Sequence, residues 1–159
     1  MSVVRFVVTR RGYVRMEVRL KAIMEHERPQ NVRDIEEARA HGDLSENAEY
    51  HAAKEKQGLL DFEMKELKDK IGRAQIIDPE TLSGDKVTFG ATVTLLNVNT
   101  DEEVVWMVVG ADEANTKEGT ISYQSPLARA IMGKEEGDEV VFQAPGGPRT
   151  YEVVEVRFI

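Results

Sequence analysis

Apolar residues recur at alternating steps of three and four in two stretches of this sequence, and this spacing is typical of helices that pack along one side against a partner. The first stretch contains Tyr13, Met16, Leu20 and Ile23, and the second contains Leu60, Met64, Leu67, Ile71 and Ala74. A short polar turn separates the two arms, so the pattern predicts an antiparallel α-helical hairpin of the coiled-coil type. Each arm would contain about 30 residues and measure roughly 45 Å.

Pro29 interrupts the first arm of this hairpin. Proline has no N–H to donate and its ring clashes with the carbonyl four residues earlier, so we expect the helix to kink or restart there. Val32, Ile35 and Ala38 then resume helical spacing. The first arm is therefore predicted to be helical on both sides of the proline.

The apolar pattern becomes alternating in the second half of the chain. Residues 76–86 contain Pro79 and Gly84 among polar residues, which is typical of a linker. The runs VTFGATVTLLNV and EVVWMVVG predict one strand hairpin, and EVVFQA with TYEVVEVRF predicts a second.

A short helix is expected between the strand hairpins, in SPLARAIMG. Ser125 is placed to cap it, Pro126 occupies its first position, and Gly133 follows its end. We therefore predict an α+β fold with two domains. Residues 1–77 would form the N-terminal coiled-coil domain, and residues 78–159 a C-terminal β-sheet domain with one short helix.

Composition limits the functions that this chain can have. It has no cysteine, and its three histidines do not fall at zinc-binding spacings, so thiolate chemistry is excluded and any metal must be held by oxygen. It has no long apolar run and no signal-peptide pattern, so we expect a cytoplasmic protein without a membrane partner. A monomer is the default expectation.

Charge is unevenly distributed along the chain. The formal net charge is −8, yet residues 1–33 contain eight basic and three acidic residues. A chain this acidic is not expected to bind duplex DNA through counterion release alone. Arg11, Arg15 and Arg19 recur every four residues and predict a basic stripe on the first arm, which is either a solvated face or a contact for a single nucleic-acid strand.

The turn of the hairpin, HGDLSE at residues 41–46, has two interpretations. In the structural one, Gly42 ends the first helix with a positive φ, Asp43 caps the second helix, and Glu46 closes a capping box. In the functional one, the carboxylates of Asp43 and Glu46 lie three residues apart and share a Mg²⁺ ion. Magnesium commonly takes one or two carboxylates, so a partner would complete the site.

The segment ARAHGDLSENAEYHAAKEKQ, from Ala38 to Gln57, resembles the signature of the bacterial GreA/GreB transcript-cleavage factors. Further matches lie in FGATVTLLN, in SPLARAIMGKEEGDEV and in the PGG of the last strand hairpin. Together they extend from about Gly12 to the C-terminus. The GreA branch resembles the chain more closely than the GreB branch.

The resemblance implies an FKBP-like C-terminal domain that docks on bacterial RNA polymerase at the mouth of the secondary channel, with the coiled-coil hairpin inside that channel. It implies that Asp43 and Glu46 help to hold the second, weakly bound Mg²⁺ of the polymerase active site. The polymerase would then cleave the 3′ end of backtracked RNA and rescue arrested complexes. The chain itself would not be an enzyme, and it would reach the nascent RNA only indirectly.

Neighbouring residues have both structural and functional interpretations. Ser45 and Asn47 are placed to orient ligands or water at the turn, although both are ordinary first-turn residues. Tyr50 continues the apolar seam of the second arm, which favours packing over RNA stacking. Capping explains Ser125 and Pro126, and the resemblance adds a role in polymerase docking.

The first arm departs from the family pattern. Where the family usually has a leucine- and glutamate-rich segment, this chain has MEVRLKAI, with Arg19 at a position usually held by glutamate. The family carries its basic patch where it can contact extruded RNA or an acidic polymerase surface, and this is the functional interpretation for Arg11, Arg15 and Arg19.

Two rival functions stay open. A channel-binding inhibitor of RNA polymerase would dock without promoting cleavage, but such relatives tend to have altered acidic tips, and GDLSEN is unaltered here. An FKBP-like peptidyl-prolyl isomerase or chaperone would need an aromatic-lined pocket. The aromatic residues after residue 76 are few, and several fall at alternating strand positions that predict core packing.

Overall fold

The computed structural model describes residues 5–43 and 47–159. Contacts group these residues into two compact units. The first contains residues 5–6 and the described part of Tyr13–Ala74, and the second contains Val7–Gly12 and Gln75–Ile159. The sequence places a boundary after residue 77 and gives no sign that Val7–Gly12 contact the later part of the chain.

The first unit is built mainly from three helices, α1 (Arg10–Ala22), α2 (Arg28–Arg39) and α3 (Ala48–Arg73), with a π-helical turn over Ile23–Glu27. Contacts between the arms pair Arg19 with Glu63, Arg28 with Asp61 and Asn31 with Ala53. Residue numbers rise along one arm as they fall along the other, so the arms run antiparallel. The predicted helical hairpin is confirmed.

The α-helical hydrogen-bonding pattern changes just before Pro29, as the sequence predicts. The N–H of Arg28 donates to the carbonyl of Ile23, five residues earlier, and this bond closes the π-helical turn. Backbone angles stay helical at Arg28 (φ −66°, ψ −47°), so the arm restarts as an α-helix without a break in the chain path. Pro29 lies in the first turn of α2, where its missing N–H costs least.

Two short strands, β1 (Phe6–Thr9) and β2 (Ala74–Ile77), pair with each other. A 3₁₀ turn over Pro79–Thr81 follows β2, and the Asp78 side chain accepts the N–H of Glu80. The linker predicted from residue 76 is therefore wrong for its first residues. A strand of four residues is too short to show alternation, and its partner β1 lies far away in the sequence, near the start of the chain.

The sheet of the second unit contains β3 (Thr92–Asn97), β4 (Glu103–Val109), β5 (Thr120–Ser122), β6 (Glu139–Ala144) and β7 (Gly147–Arg157). The strand order across these described residues is β5-β4-β3-β7-β6, with β4 and β5 parallel and the other neighbours antiparallel. The two predicted strand hairpins, β3 with β4 and β6 with β7, are confirmed. Pairing between β3 and β7 joins them.

The short helix α4 (Pro126–Ile131) has the predicted ends. Ser125 Oγ accepts the N–H of Ala128 at 3.3 Å, and Gly133 has a φ of 80°. Ala128 and Ile131 are completely buried in the core of the sheet, which also contains Val87, Val93, Leu95, Val108, Tyr151 and Val153. Among the described residues, no helix combines the length and apolar character needed to span a membrane.

Replacing Leu95 with alanine should lower the free energy of unfolding of the second unit by about 2–5 kcal/mol, because the buried side chain would leave a cavity. Val105→Ala, on the adjacent strand but 49% exposed, should cost under about 1 kcal/mol. Urea unfolding followed by the fluorescence of Trp106, which packs on this core, measures both. Equal losses would contradict the placement of Leu95.

Candidate functional site

The turn of the hairpin lies between the end of α2 at Arg39 and the start of α3 at Ala48. The N–H of Gly42 donates to the carbonyl of Arg39 at 3.3 Å and closes α2. Gly42 has a φ of 107°, which L-residues rarely adopt, so a glycine is required at the stop that the sequence predicts. Asp43 follows directly and is exposed.

Asn47 caps α3, and this corrects the predicted capping box. Its Oδ1 accepts the N–H of Tyr50 at 3.1 Å. Because α3 begins at Ala48, Asp43 lies too far ahead of the helix to cap it, and the third helical position belongs to Tyr50. Aspartate and asparagine are equally good caps, so the local sequence alone does not decide between them. Leu44, Ser45 and Glu46 lie outside the described residues.

Three contacts join the two helix ends across the turn. Asn47 Nδ2 donates to the carbonyl of Ala38, so one side chain both caps α3 and binds the last turn of α2. The Arg39 guanidinium lies 5.9 Å from the centre of the Tyr50 ring. His41 Nδ1 lies 3.3 Å from Glu49 Oε2. Tyr50 thus packs at the base of the turn, the role that its spacing favours.

The predicted metal ligands are Asp43 and Glu46, of which the structure describes Asp43. Asp43 is exposed, and the residue that caps α3 is Asn47. Within residues 5–43 and 47–159, no group of three or more histidine, cysteine, aspartate or glutamate side chains is arranged to hold a metal ion. An exposed carboxylate fits a role as one ligand of a hard cation such as Mg²⁺ whose other ligands come from a partner.

The predicted basic stripe lies on α1, and Arg19 in this stripe joins the two arms. Its Nε and Nη2 each lie 2.9 Å from a Glu63 oxygen, and its Nη1 contacts Glu27. The hydrogen bond to Glu63 raises the pKa of Arg19 further and lowers the pKa of Glu63. The arginine that departs from the family pattern therefore has matching carboxylates in its own chain.

Asn31 is a buried polar residue that the sequence analysis does not single out. It is 1% exposed, and its Nδ2 donates to the carbonyl of Ala53 on α3 at 2.9 Å. Its spacing from Ile35 and Ala38 is the signal that could have identified it, because it falls on the same seam. A buried asparagine in a helical seam favours one register of the two arms over others.

Aromatic residues of the second unit pack on its core. Tyr151 is buried in that core, while Trp106, Tyr123, Phe142 and Phe158 pack against it. The ring of Phe89 meets that of Tyr123 edge to face at 5.5 Å. This packing argues against a prolyl-peptide pocket built from these side chains. Pro126, one of the predicted docking residues, is exposed at the start of α4.

Glu63→Gln should make the hairpin less sensitive to acid. Hydrogen bonding to Arg19 holds the pKa of Glu63 below its ordinary value, so its ionised form contributes stability at neutral pH that is lost as pH falls through the folded pKa. The variant lacks this contribution, so its free energy of unfolding should fall less than that of the unmodified protein between about pH 7 and pH 3. The loss at neutral pH should stay under about 1 kcal/mol, because the pair is partly exposed.

Thermal unfolding followed by helical circular dichroism at several pH values measures this difference. Glu66→Gln, which removes an exposed carboxylate from the same helix, serves as the control. The same acid sensitivity in the Glu63 variant and the unmodified protein would contradict the assignment.

Substitutions at Asn47 should separate its two roles. Asn47→Ala removes both bonds and should cost about 1 kcal/mol for the lost cap alone. Asn47→Asp keeps an acceptor for Tyr50 but loses the donor to the Ala38 carbonyl. Hydrogen exchange should show a less protected Tyr50 amide in the alanine variant and near-normal protection in the aspartate variant. If the Tyr50 amide stays fully protected in both variants, Asn47 is not the cap.

Comparison with known proteins covers both units. Residues 6–76 match the family described as Transcription elongation factor, N-terminal, and residues 82–158 match Transcription elongation factor, GreA/GreB, C-term. Transcription elongation factor GreA from Brucella anthropi is 52% identical over 98% of this chain and 99% of that protein. Its counterpart from Brucella canis is 49% identical with the same coverage.

Among solved structures, that of GreA factor homolog 1 (Gfh1) from Thermus thermophilus is 26% identical, with a TM-score of 0.44 over 97% of this chain and 99% of that one. The two family matches and the two Brucella relatives together cover nearly the whole chain. Since these matches span nearly every residue, the chain belongs to the GreA/GreB family of transcription elongation factors.

Proposed function

We propose that this protein binds bacterial RNA polymerase through the secondary channel and stimulates cleavage of the 3′ end of backtracked RNA. Its family and its 52% identical relative named transcription elongation factor GreA support a role in elongation. The protein acts as a monomer in the cytoplasm, and it is not itself an enzyme, since the polymerase performs the hydrolysis.

The observation that carries this proposal is the position of Asp43. It follows the glycine that ends the first arm, it is exposed, and the cap of the second arm is Asn47 instead. An exposed carboxylate at the turn of a two-helix arm can be presented to the active site of a larger partner.

Asp43 and Glu46 would contribute carboxylate oxygens to a Mg²⁺ ion that the polymerase also holds. Such a second ion stabilises the attacking and leaving oxygens during phosphodiester hydrolysis. Asn47, Arg39 and Tyr50 keep the ends of the arms together, so the carboxylates approach on an ordered support. In this proposal, stimulated cleavage depends on the negative charge of Asp43.

Docking would use the C-terminal, FKBP-like unit, with Ser125 and Pro126 at the start of α4 in the contact. Ser125 fixes that start by capping, and Pro126 is exposed there. On the arm, Arg11 and Arg15 are the stripe residues placed to face extruded RNA or an acidic polymerase surface. Arg19 is engaged with Glu63 and Glu27, so it contributes to the arm itself.

Asp43→Asn and Glu46→Gln should each leave folding and polymerase binding nearly intact and largely abolish stimulated RNA cleavage in backtracked complexes. Each change keeps the shape of the side chain and removes the charge that a hard cation requires. Raised Mg²⁺ should partly restore cleavage, because mass action offsets weaker binding of the ion. Gel analysis of end-labelled RNA in stalled complexes provides the measurement.

Glu49→Gln is the matched control, since it removes an exposed carboxylate from the first turn of α3. Normal stimulation of RNA cleavage by the Asp43 and Glu46 variants would refute the proposed role of the turn. Binding of the unmodified protein to polymerase with slowed elongation and no stimulated cleavage would favour the channel-binding inhibitor.

A further inference from the structure

A cluster of hydrogen bonds holds the start of α1 within the second unit. We call Thr9, Gly12, Gly110 and Glu113 the root joint. Glu113 Oε1 accepts the N–H of Thr9 at 3.2 Å and the N–H of Gly110 at 3.0 Å. Glu113 Oε2 accepts the hydroxyl of Thr9 at 3.0 Å. One carboxylate thus binds two backbone groups and one side chain, and Thr9 is only 3% exposed.

Thr9 is also the cap of α1. It directly precedes the first helical residue, Arg10, and its Oγ1 accepts the N–H of Gly12 at 3.1 Å. Glu113 therefore binds the cap, and its negative charge lies near the positive end of the helix dipole. The first turn of the arm is fixed by a residue more than 100 positions later in the chain.

Both glycines of the root joint are required for space. A Cβ at Gly12 would overlap Glu113 Oε2, and a Cβ at Gly110 would lie 2.8 Å from the carbonyl oxygen of Val7. Neither glycine has a positive φ, so backbone conformation does not explain them. Close approach of β1 and the first turn of α1 to the segment around Glu113 accounts for both.

We propose that Glu113 is a positioning residue for stimulated cleavage, because it anchors the base of the arm that ends at Asp43. This inference rests on the proposed function. Glu113 binds the residue that caps α1, and α1 is the helix with which the first arm begins. Misplacement of a reacting group by about 1 Å can cost about 100-fold in rate, so a loosened base is enough to lower cleavage.

The first measurement tests the anchor itself. Glu113→Ala removes all three acceptor contacts and should expose the Arg10–Arg11 peptide bond to trypsin at least about tenfold more. Glu113→Gln keeps Oε1 as acceptor for Thr9 and Gly110, so it should stay close to the unmodified protein. If the alanine variant resists trypsin as well as the unmodified protein does, Glu113 does not anchor the start of α1.

The second measurement uses the full chain with backtracked polymerase complexes. Glu113→Ala should lower the maximal cleavage rate by about tenfold or more. The concentration of factor needed for half-maximal cleavage should change by less than about threefold, because the docking residues are untouched. A near-normal maximal cleavage rate with Glu113→Gln would show that the hydrogen bonds of residue 113, and not its charge, are required. A change confined to the half-maximal concentration would overturn the positioning role.

The two glycines provide matched variants. Gly12→Ala should expose the Arg10–Arg11 bond in the unmodified background and have less further effect in Glu113→Ala, where the overlapping carboxylate is gone and the Val8 side chain, 2.8 Å from the added Cβ, is the contact that stays. Gly110→Ala should be disruptive in both backgrounds, because its Cβ meets backbone. Additive effects of Gly12→Ala and Glu113→Ala would contradict the direct contact.

These experiments separate the two proposals. If the unmodified protein stimulates no cleavage, the proposed function fails and this role fails with it, whatever trypsin reports about the anchor. Suppose instead that the unmodified protein and the Asp43 variant behave as expected, while Glu113→Ala exposes the Arg10–Arg11 bond to trypsin and still stimulates cleavage normally. In that case the positioning role alone is overturned.

Discussion

The antiparallel pairing of α2 with α3 is the constraint on which the candidate site depends. Ala38 and Ala53 are small and buried, so apolar packing alone would tolerate a shift of one arm along the other. The bond from Asn31 to the Ala53 carbonyl opposes such a shift, since a slip would leave a buried amide unpaired at a cost of about 1–3 kcal/mol. Correct register then brings Asn47 to the Ala38 carbonyl and closes the turn.

Periodicity predicts the elements that local sequence controls. The helical arms, the two strand hairpins and the short helix with Ser125 as its cap all have patterns that extend over one or two turns or strands. Gly42 is predictable for the same reason, because only its own backbone angle is involved. The exposed position of Asp43 follows from its place in the turn.

The features that escape prediction depend on distant partners. Strands β1, β2 and β5 are too short to show alternation and exist through pairing. The choice of Asn47 over Asp43 as cap is decided by the second bond that Asn47 makes across the turn. In the sequence Arg19 belongs to a basic stripe, and only the folded hairpin pairs it with Glu63. Similarly, no local sequence pattern links Glu113 to Thr9.

The π-helical turn at Ile23–Glu27 affects the direction in which the side chains of the first arm face around the helix axis. Buried Ile23, Asn31 and Ile35 are separated by multiples of four residues, and each such step overshoots a full α-helical turn by about 40°. A hydrogen bond that spans five residues encloses one extra residue and absorbs this drift. The number of residues between Ile23 and Asn31 is therefore as constrained as their identity, and loss of one residue there would rotate the distal apolar stripe into solvent.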